Sequence, residues 1–259
     1  MAHAQDHFSG IAAEYNAGRV TYPKELHEYL SSVCMERLLV WDCATGSGQA
    51  AIDLSSRFNR VIATDISDSL LSLAPEVENV AFRCAPAESS GIEPNCVDLV
   101  VVAQAIHWFD YADFWKEVSR VLKPNGILAF WGYVWPVVDE RIDILLDTFR
   151  ENIASCWPHR SQDLQGFYEG VDAPFERIKA PDLQIEENWT ASDYLAHLGS
   201  WSATRYFQDT FGESPLDAIA RDVECIWGRG LRTVRWQLVL KAYQKAEQAV
   251  PPKSDRAGG

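Results

Sequence analysis

Three observations predict an α/β fold with a doubly wound parallel sheet. Over residues 38–51 an apolar run ends in an acid, Asp42, crosses the small turn Cys43-Ala44-Thr45-Gly46-Ser47-Gly48, and opens a helix-compatible segment. Residues 61–66 repeat the pattern of an apolar strand ending in a carboxylate, Asp65. Residues 97–104 are hydrophobic without alternation, as in a strand buried on both faces. Strands separated by helix-length segments build parallel βαβ units.

In chain order, strands are expected over 38–42, 61–65, 80–84, 99–103 and 127–131. The helix expected over 111–122 carries Phe114, Trp115, Val118, Val121 and Leu122 at helical spacing. It stops at Lys123-Pro124-Asn125-Gly126, where proline and glycine punctuate the chain. After Pro136 the character changes, and 139–156 reads as an amphipathic helix with Ile142, Leu145, Leu146, Phe149 and Ile153 along one stripe. Residues 175–178 and 234–240 are candidates for the last two strands, the second overlapping a competing C-terminal helix. In such a fold, ligands lie at the carboxyl ends of the strands, beside the first strand where strand order reverses.

Composition narrows the partners. The 259 residues hold 37 acids and 23 bases, a formal charge of −14. That field repels a polyanion, and no Lys/Arg cluster offsets it, so nucleic-acid and membrane-surface roles are disfavoured and a small-molecule substrate is expected. The six cysteines (Cys34, Cys43, Cys84, Cys96, Cys156, Cys225) show neither C-x-x-C nor a metal-ligand spacing with histidine, so no metal is expected and they read as reduced core thiols. No apolar signal segment opens the chain and no run approaches a membrane span, which makes a soluble, cytoplasmic monomer or homodimer the expectation. Residues 249–259, polar and rich in proline and glycine, read as a disordered tail.

Glycines at 46 and 48 allow a ligand close approach to the backbone. Asp65, about twenty residues on, can accept hydrogen bonds from ribose hydroxyls. A ribose-bearing ligand follows, and two compete. Gly46-Ser47-Gly48-Gln49-Ala50-Ala51 fits the dinucleotide fingerprint G-x-G-x-x-[GA], which leaves a NAD-dependent oxidoreductase as an alternative. Asp42 favours the other: a carboxylate there disfavours a pyrophosphate but suits the sulfonium and ammonium of S-adenosylmethionine.

Residues 42–48 resemble the D/E-x-G-x-G-x-G loop of class I S-adenosylmethionine-dependent methyltransferases, departing at Ala44, where a positive φ would be strained. Arg-Val-Leu-Lys-Pro-Asn-Gly-Ile-Leu over 120–128 is similar to the R-x-L-[KR]-P-G-G-x-L segment before the fifth strand of these enzymes, with Asn125 for the first glycine. Ala85-Pro86-Ala87-Glu88 resembles their adenine-contacting loop. Phe8, Tyr15, Arg19, Tyr22-Pro23 and Gln104-Ala105-Ile106-His107-Trp108-Phe109 resemble the small-molecule type 11 group that includes trans-aconitate methyltransferases.

The resemblance implies a Rossmann-like sheet of seven strands, the last antiparallel, with a helical cap. It implies lid helices over 1–36, a core domain over 37–135 and 170–248, and cap segments over 136–206. The cofactor would be held by Phe8, Tyr15, Arg19, Asp42, Ala44, Gly46, Gly48, Asp65, Ile66, Leu70, Ala87, Glu88, Ala103, Gln104 and Trp108. Trp131, Tyr133, Trp135 and Arg205 would line the substrate, and His107 is the candidate catalytic residue, as general base or as a positioning group. O-methylation of a carboxylate or hydroxyl is expected. Ala44 and Pro86 also leave room for a non-catalytic S-adenosylmethionine-binding protein.

Overall fold

The computed structural model describes residues 20–247 apart from 134, 159, 160, 162, 163, 165 and 167. Phe8, Tyr15 and Arg19 of the expected lid, and the expected tail over 249–259, lie outside the described residues.

Helix α1 (Lys24–Ser32) precedes β1 (Leu39–Cys43), α2 (Gln49–Ser55), β2 (Arg60–Asp65), the short α3 (Asp68–Leu71) and β3 (Val80–Cys84). Next come β4 (Val97–Ala103), a 3-10 turn (Ile106–Trp108), α4 (Tyr111–Val121) and β5 (Leu122–Tyr133). After β5 follow α5 (Glu140–Asn152), β6 (Glu176–Ile178), β7 (Leu183–Trp189), α6 (Ala191–Gly199), α7 (Ser202–Phe211), α8 (Ala220–Trp227) and β8 (Arg232–Gln244).

The sheet order is β3-β2-β1-β4-β5-β8, with both β6 and β7 against β8. Strands β1 to β5 are parallel, while β8 runs antiparallel to β5, β6 and β7. β6 and β7 occupy one strand position: Ile178 pairs with Ala242 and Leu183 with Leu238, so residues 179–182 face 239–241 with one residue to spare. The sheet therefore has seven positions with the last strand in the chain antiparallel, a Rossmann-like methyltransferase arrangement.

One expectation needs correction. Lys123–Gly126 does not end an element outside the sheet; Leu122 pairs with Val97 and Ile127 with Leu99, so the four residues bulge from within β5. Asn125 takes a φ of 63° there, which its short polar side chain tolerates. The strand candidate over 234–240 is borne out against the competing helix: it runs over 232–244, paired with β5 over 238–244 and with β7 over 232–238. The half-exposed β7 was not anticipated from sequence.

Alternation along the strands divides the core. Val40, Val61, Ala63, Leu99, Val101, Ala129 and Trp131 face α1, α2, α5, α6 and α8; Trp41, Ile62, Val100, Val102, Leu128 and Phe130 face α4 and the chain around Tyr168. Buried side chains on both faces are why β4 reads as an unbroken apolar run. Helix termini are capped where the sequence offers oxygen: Asp110 accepts from Asp113 N at α4, Asp139 from Arg141 N and Ile142 N at α5, and Thr190 forms a capping box with Asp193 at α6.

Gly48 shows how tightly the first turn is built. It has φ 89° as it opens α2, and a Cβ there would lie 2.7 Å from the Phe82 ring of β3. Gly48→Ala is expected to cost about 2–5 kcal/mol, combining overpacking with a left-handed alanine. Adding Phe82→Leu should restore the steric part only. Urea unfolding of the three variants checks this, and equal stability of parent and Gly48→Ala would refute it.

Candidate active site

The order reversal between β1 and β4 opens a crevice at their carboxyl ends, and the motif residues converge on it. The loop after β1 takes positive φ at Ala44 (55°), Gly46 (60°) and Gly48 (89°). It is held by backbone bonds from Thr45 N to Thr64 O (2.9 Å) and from Gly48 N to Thr45 O (3.0 Å). Asp42, fully buried, accepts from the Thr45 hydroxyl at 2.5 Å. Asp65 closes the arrangement: one carboxylate oxygen accepts from Gly46 N (2.8 Å) and the other from Ser67 N (2.9 Å). A carboxylate has about four acceptor positions, enough to hold backbone amides and ribose hydroxyls together.

The pole is acidic. Cys43, wholly buried, has its thiol pushed well above the ordinary range, first by burial and then by the nearby charges of Asp42, Glu88 and Asp65. Glu88 Oε1 in turn accepts from Asp110 N at 3.0 Å, tying the 85–88 loop to the start of α4. Ile66, 36% exposed at the tip of β2, and the buried Leu70 and Ala87 add apolar surface beside these acids.

Gln104 follows Ala103 at the end of β4 with φ 57°. Its backbone N–H donates to Trp131 O (2.9 Å) and its Nε2 to Tyr133 O (3.0 Å), which fixes the side chain. Its Oε1 is buried and has no hydrogen-bond partner among the described residues. A buried acceptor left over at the end of β4, in the same crevice that the acid-ended β1 borders, suits a bound cation, and S-adenosylmethionine brings two positive centres and no phosphate. The residues present fit that cofactor.

His107 is buried on the 3-10 turn, packed at 4.9 Å between ring centroids on Trp108, with Tyr168 Oη 3.4 Å from its Nδ1. Of the expected substrate residues, Trp131 and Tyr133 lie together: Trp131 meets Tyr22 edge-on at 5.5 Å, and Tyr133 lies 6.5 Å from Tyr22 and 6.3 Å from Trp236. Trp135 instead joins a cap cluster, 5.9 Å from Trp157 and 5.5 Å from Trp201, with the Arg150 guanidinium 3.9 Å above its ring. Arg205 sits on α7, whose contacts are with the 3-10 turn at Ala154–Cys156, α6 and the Pro215–Ala218 turn. Sequence reading did not single out Tyr168, Trp236 or His197. Tyr168 reaches His107 and Trp236 reaches Tyr133 only through the fold, while His197 packs against Trp189, Trp201 and Trp236.

Fold and site together define a class I methyltransferase. Comparison with known proteins agrees: the "Methyltransferase domain" family model (Methyltransf_11) matches residues 41–130. A Dictyostelium discoideum protein named as a methyltransferase is 30% identical over 207 residues, 78% of this chain and 79% of that one. A malonyl-[acyl-carrier protein] O-methyltransferase of a Marinomonas species is 37% identical over 192 residues, 65% of this chain and 63% of its own. The solved structure of a type II methyltransferase from Anaeromyxobacter dehalogenans superposes with a TM-score of 0.83 at 34% identity, covering 88% of this chain and 99% of that one. Several other curated methyltransferases, from yeasts and mycobacteria, are matched over only 46–60% of their length. The chain belongs to the S-adenosylmethionine-dependent methyltransferases, and the NAD-dependent alternative falls. Among the described residues no helix is long and apolar enough to cross a membrane.

Two outcomes are expected here. Ala44→Gly should stabilise the protein by up to about 1 kcal/mol, the relief of a left-handed alanine less the added freedom of glycine when unfolded; a lower melting temperature would contradict this. Asp65→Ala should weaken S-adenosylhomocysteine binding by about 2–4 kcal/mol in calorimetry, since charge-assisted bonds are lost. It should also lower the melting temperature, because Gly46 N and Ser67 N lose their acceptor; unchanged affinity would refute the ribose assignment.

Proposed function

We propose that the protein methylates a small molecule at oxygen, with a carboxylate as the favoured nucleophile. The observation that carries this reading is the Trp131 indole. Its Nε1–H is buried at the carboxyl end of β5 with no hydrogen-bond partner among the described residues, and such a donor suits a substrate oxygen. The relative named malonyl-[acyl-carrier protein] O-methyltransferase supports oxygen as the methylated atom.

S-adenosylmethionine supplies an electrophilic methyl on a sulfonium. The chain has then to bind, align and keep water out. Asp65 would receive the ribose hydroxyls. Ile66, Leu70, Ala87 and Trp108 would wall the adenine, with Glu88 beside it. Asp42, the backbone of Ala44, Gly46, Gly48 and Ala103, and Gln104 Oε1 would surround the methionine portion. Phe8, Tyr15 and Arg19 would close over it as a lid.

On the substrate side Trp131 and Tyr133 would form the inner wall, and the Trp135 cluster the outer one. Arg205 would attract a second acidic group on the substrate. The formal charge of −14 favours a small molecule over a nucleic acid. The same reading puts the enzyme in the cytoplasm, as a monomer or homodimer. His107 acts by holding the substrate rather than by removing a proton, because a carboxylate is already ionised at neutral pH.

A panel of small carboxylic acids, phenols and amines, assayed with S-adenosylmethionine for methylated product, tests the proposal. Acids should turn over, at rates flat between about pH 6 and 9, because a carboxylate near pKa 4 is fully ionised there. Turnover confined to phenols or amines, with a rate climbing toward pKa values of about 10, would overturn it.

A further inference from the structure

The mechanism leaves one cap residue unexplained. Tyr168 is fully buried, holds a φ of 57° and stands with its Oη 3.4 Å from His107 Nδ1. A non-glycine residue at positive φ is strained, so something in the surroundings fixes it there. Gly132 of β5 does part of this: a Cβ at 132 would lie 2.8 Å from Tyr168 Cε2 and 2.9 Å from its Oη. The bare strand thus admits the phenol into the sheet-end layer. Phe130 backs it edge-on at 5.8 Å, and the His107 and Tyr168 rings stack 6.2 Å apart.

We infer that Tyr168 is a positioning residue that fixes the tautomer of His107, donating its hydroxyl proton to Nδ1 and leaving the ring proton on Nε2. The inference rests on the proposed carboxylate chemistry for its functional consequence, but not for its physical basis. A neutral imidazole has one donor and one acceptor nitrogen, and a phenol can meet either. The phenol O–H is a far stronger acid than a neutral imidazole N–H, and the imidazole nitrogen a far stronger base than the phenol oxygen. In a buried pair the O–H to N arrangement is therefore favoured. His107 then carries its proton on Nε2 as a hydrogen-bond donor. A donor can hold a carboxylate oxygen, whereas it cannot take a proton from a hydroxyl. The cap would set this state from 61 residues along the chain.

The tautomer is directly observable. Side-chain 15N–1H correlation spectra of the full-length protein, recorded with the imidazoles neutral, separate protonated from bare ring nitrogens. His107→Asn identifies the His107 signals by their loss. In the parent, Nδ1 is expected bare and Nε2 protonated. In Tyr168→Phe, which keeps the ring against Gly132 and so its packing, the His107 signals should move to a mixture or to the Nδ1–H form. An Nδ1–H form in the parent, or a pattern identical in parent and Tyr168→Phe, overturns the inference.

Activity then separates it from the reaction assignment. On whichever small carboxylic acid the panel finds to be turned over, Tyr168→Phe should raise KM several-fold with kcat little changed. If the spectra behave as expected while no acid is turned over, the carboxylate proposal fails and the tautomer assignment stands.

Discussion

The site depends on one carboxylate. Asp65 lies at the end of β2 yet bonds across to Gly46 in the loop after β1 and along its own chain to Ser67. Three residues of that loop sit at positive φ, and one of them is alanine, so its shape does not follow from local preference. The bonds from Gly46 N to Asp65, Thr45 N to Thr64 and Thr45 Oγ1 to Asp42 impose it, and all three partners are buried on β1 or β2. The parallel register of the two strands, with Cys43 opposite Thr64, brings those acceptors within reach. Sheet packing thus sets the loop, and the loop shapes the cofactor cradle.

The half of the fold nearest the motifs was legible because its signals are strong and local. Buried parallel strands announce themselves as unbroken apolar runs, and the acids ending β1 and β2 stand out against them. The edge was not legible. β7 contains Gln184, Glu186, Glu187 and Asn188, and its pairing with β8 is supplied by the tertiary fold. β8 was ambiguous because Arg235 and Lys241 interrupt its apolar pattern. Lys241 is buried only because its ammonium donates to Val171 O at 2.8 Å and lies 3.4 Å from Asp172. Such compensation comes from distant segments and leaves no trace in the local sequence.

The same reasoning divides the candidate site. Asp42, Asp65, Glu88 and Gln104 could be named as candidates from sequence because they lie in contiguous motifs at or just past strand ends. The candidate aromatics separate in the fold: Trp131 and Tyr133 lie together against Tyr22, while Trp135 packs with Trp157, Trp201 and Arg150. Alternation along a strand predicts a shared face for 131 and 133, but β5 ends at Tyr133 and the rule ends with it. The contact of Tyr168 with His107 joins segments 61 residues apart, and neither residue's neighbours hint at it.

The acids at the cofactor pole also carry a lesson about rate. On the proposed reading, methyl transfer from a sulfonium to a carboxylate removes both charges as it proceeds. Groups that stabilise those charges strongly before the reaction, and less so at the transition state, would slow it. Each of the three carboxylates accepts from the protein itself: Asp42 from the Thr45 hydroxyl, Asp65 from Gly46 N and Ser67 N, and Glu88 from Asp110 N. Each donor withdraws part of the negative charge and holds the oxygen in place. Their charges add to burial in raising the Cys43 thiol. On the proposed reading, acids already engaged by the protein would orient a sulfonium without holding it too tightly, leaving alignment and exclusion of water as the main work of the fold.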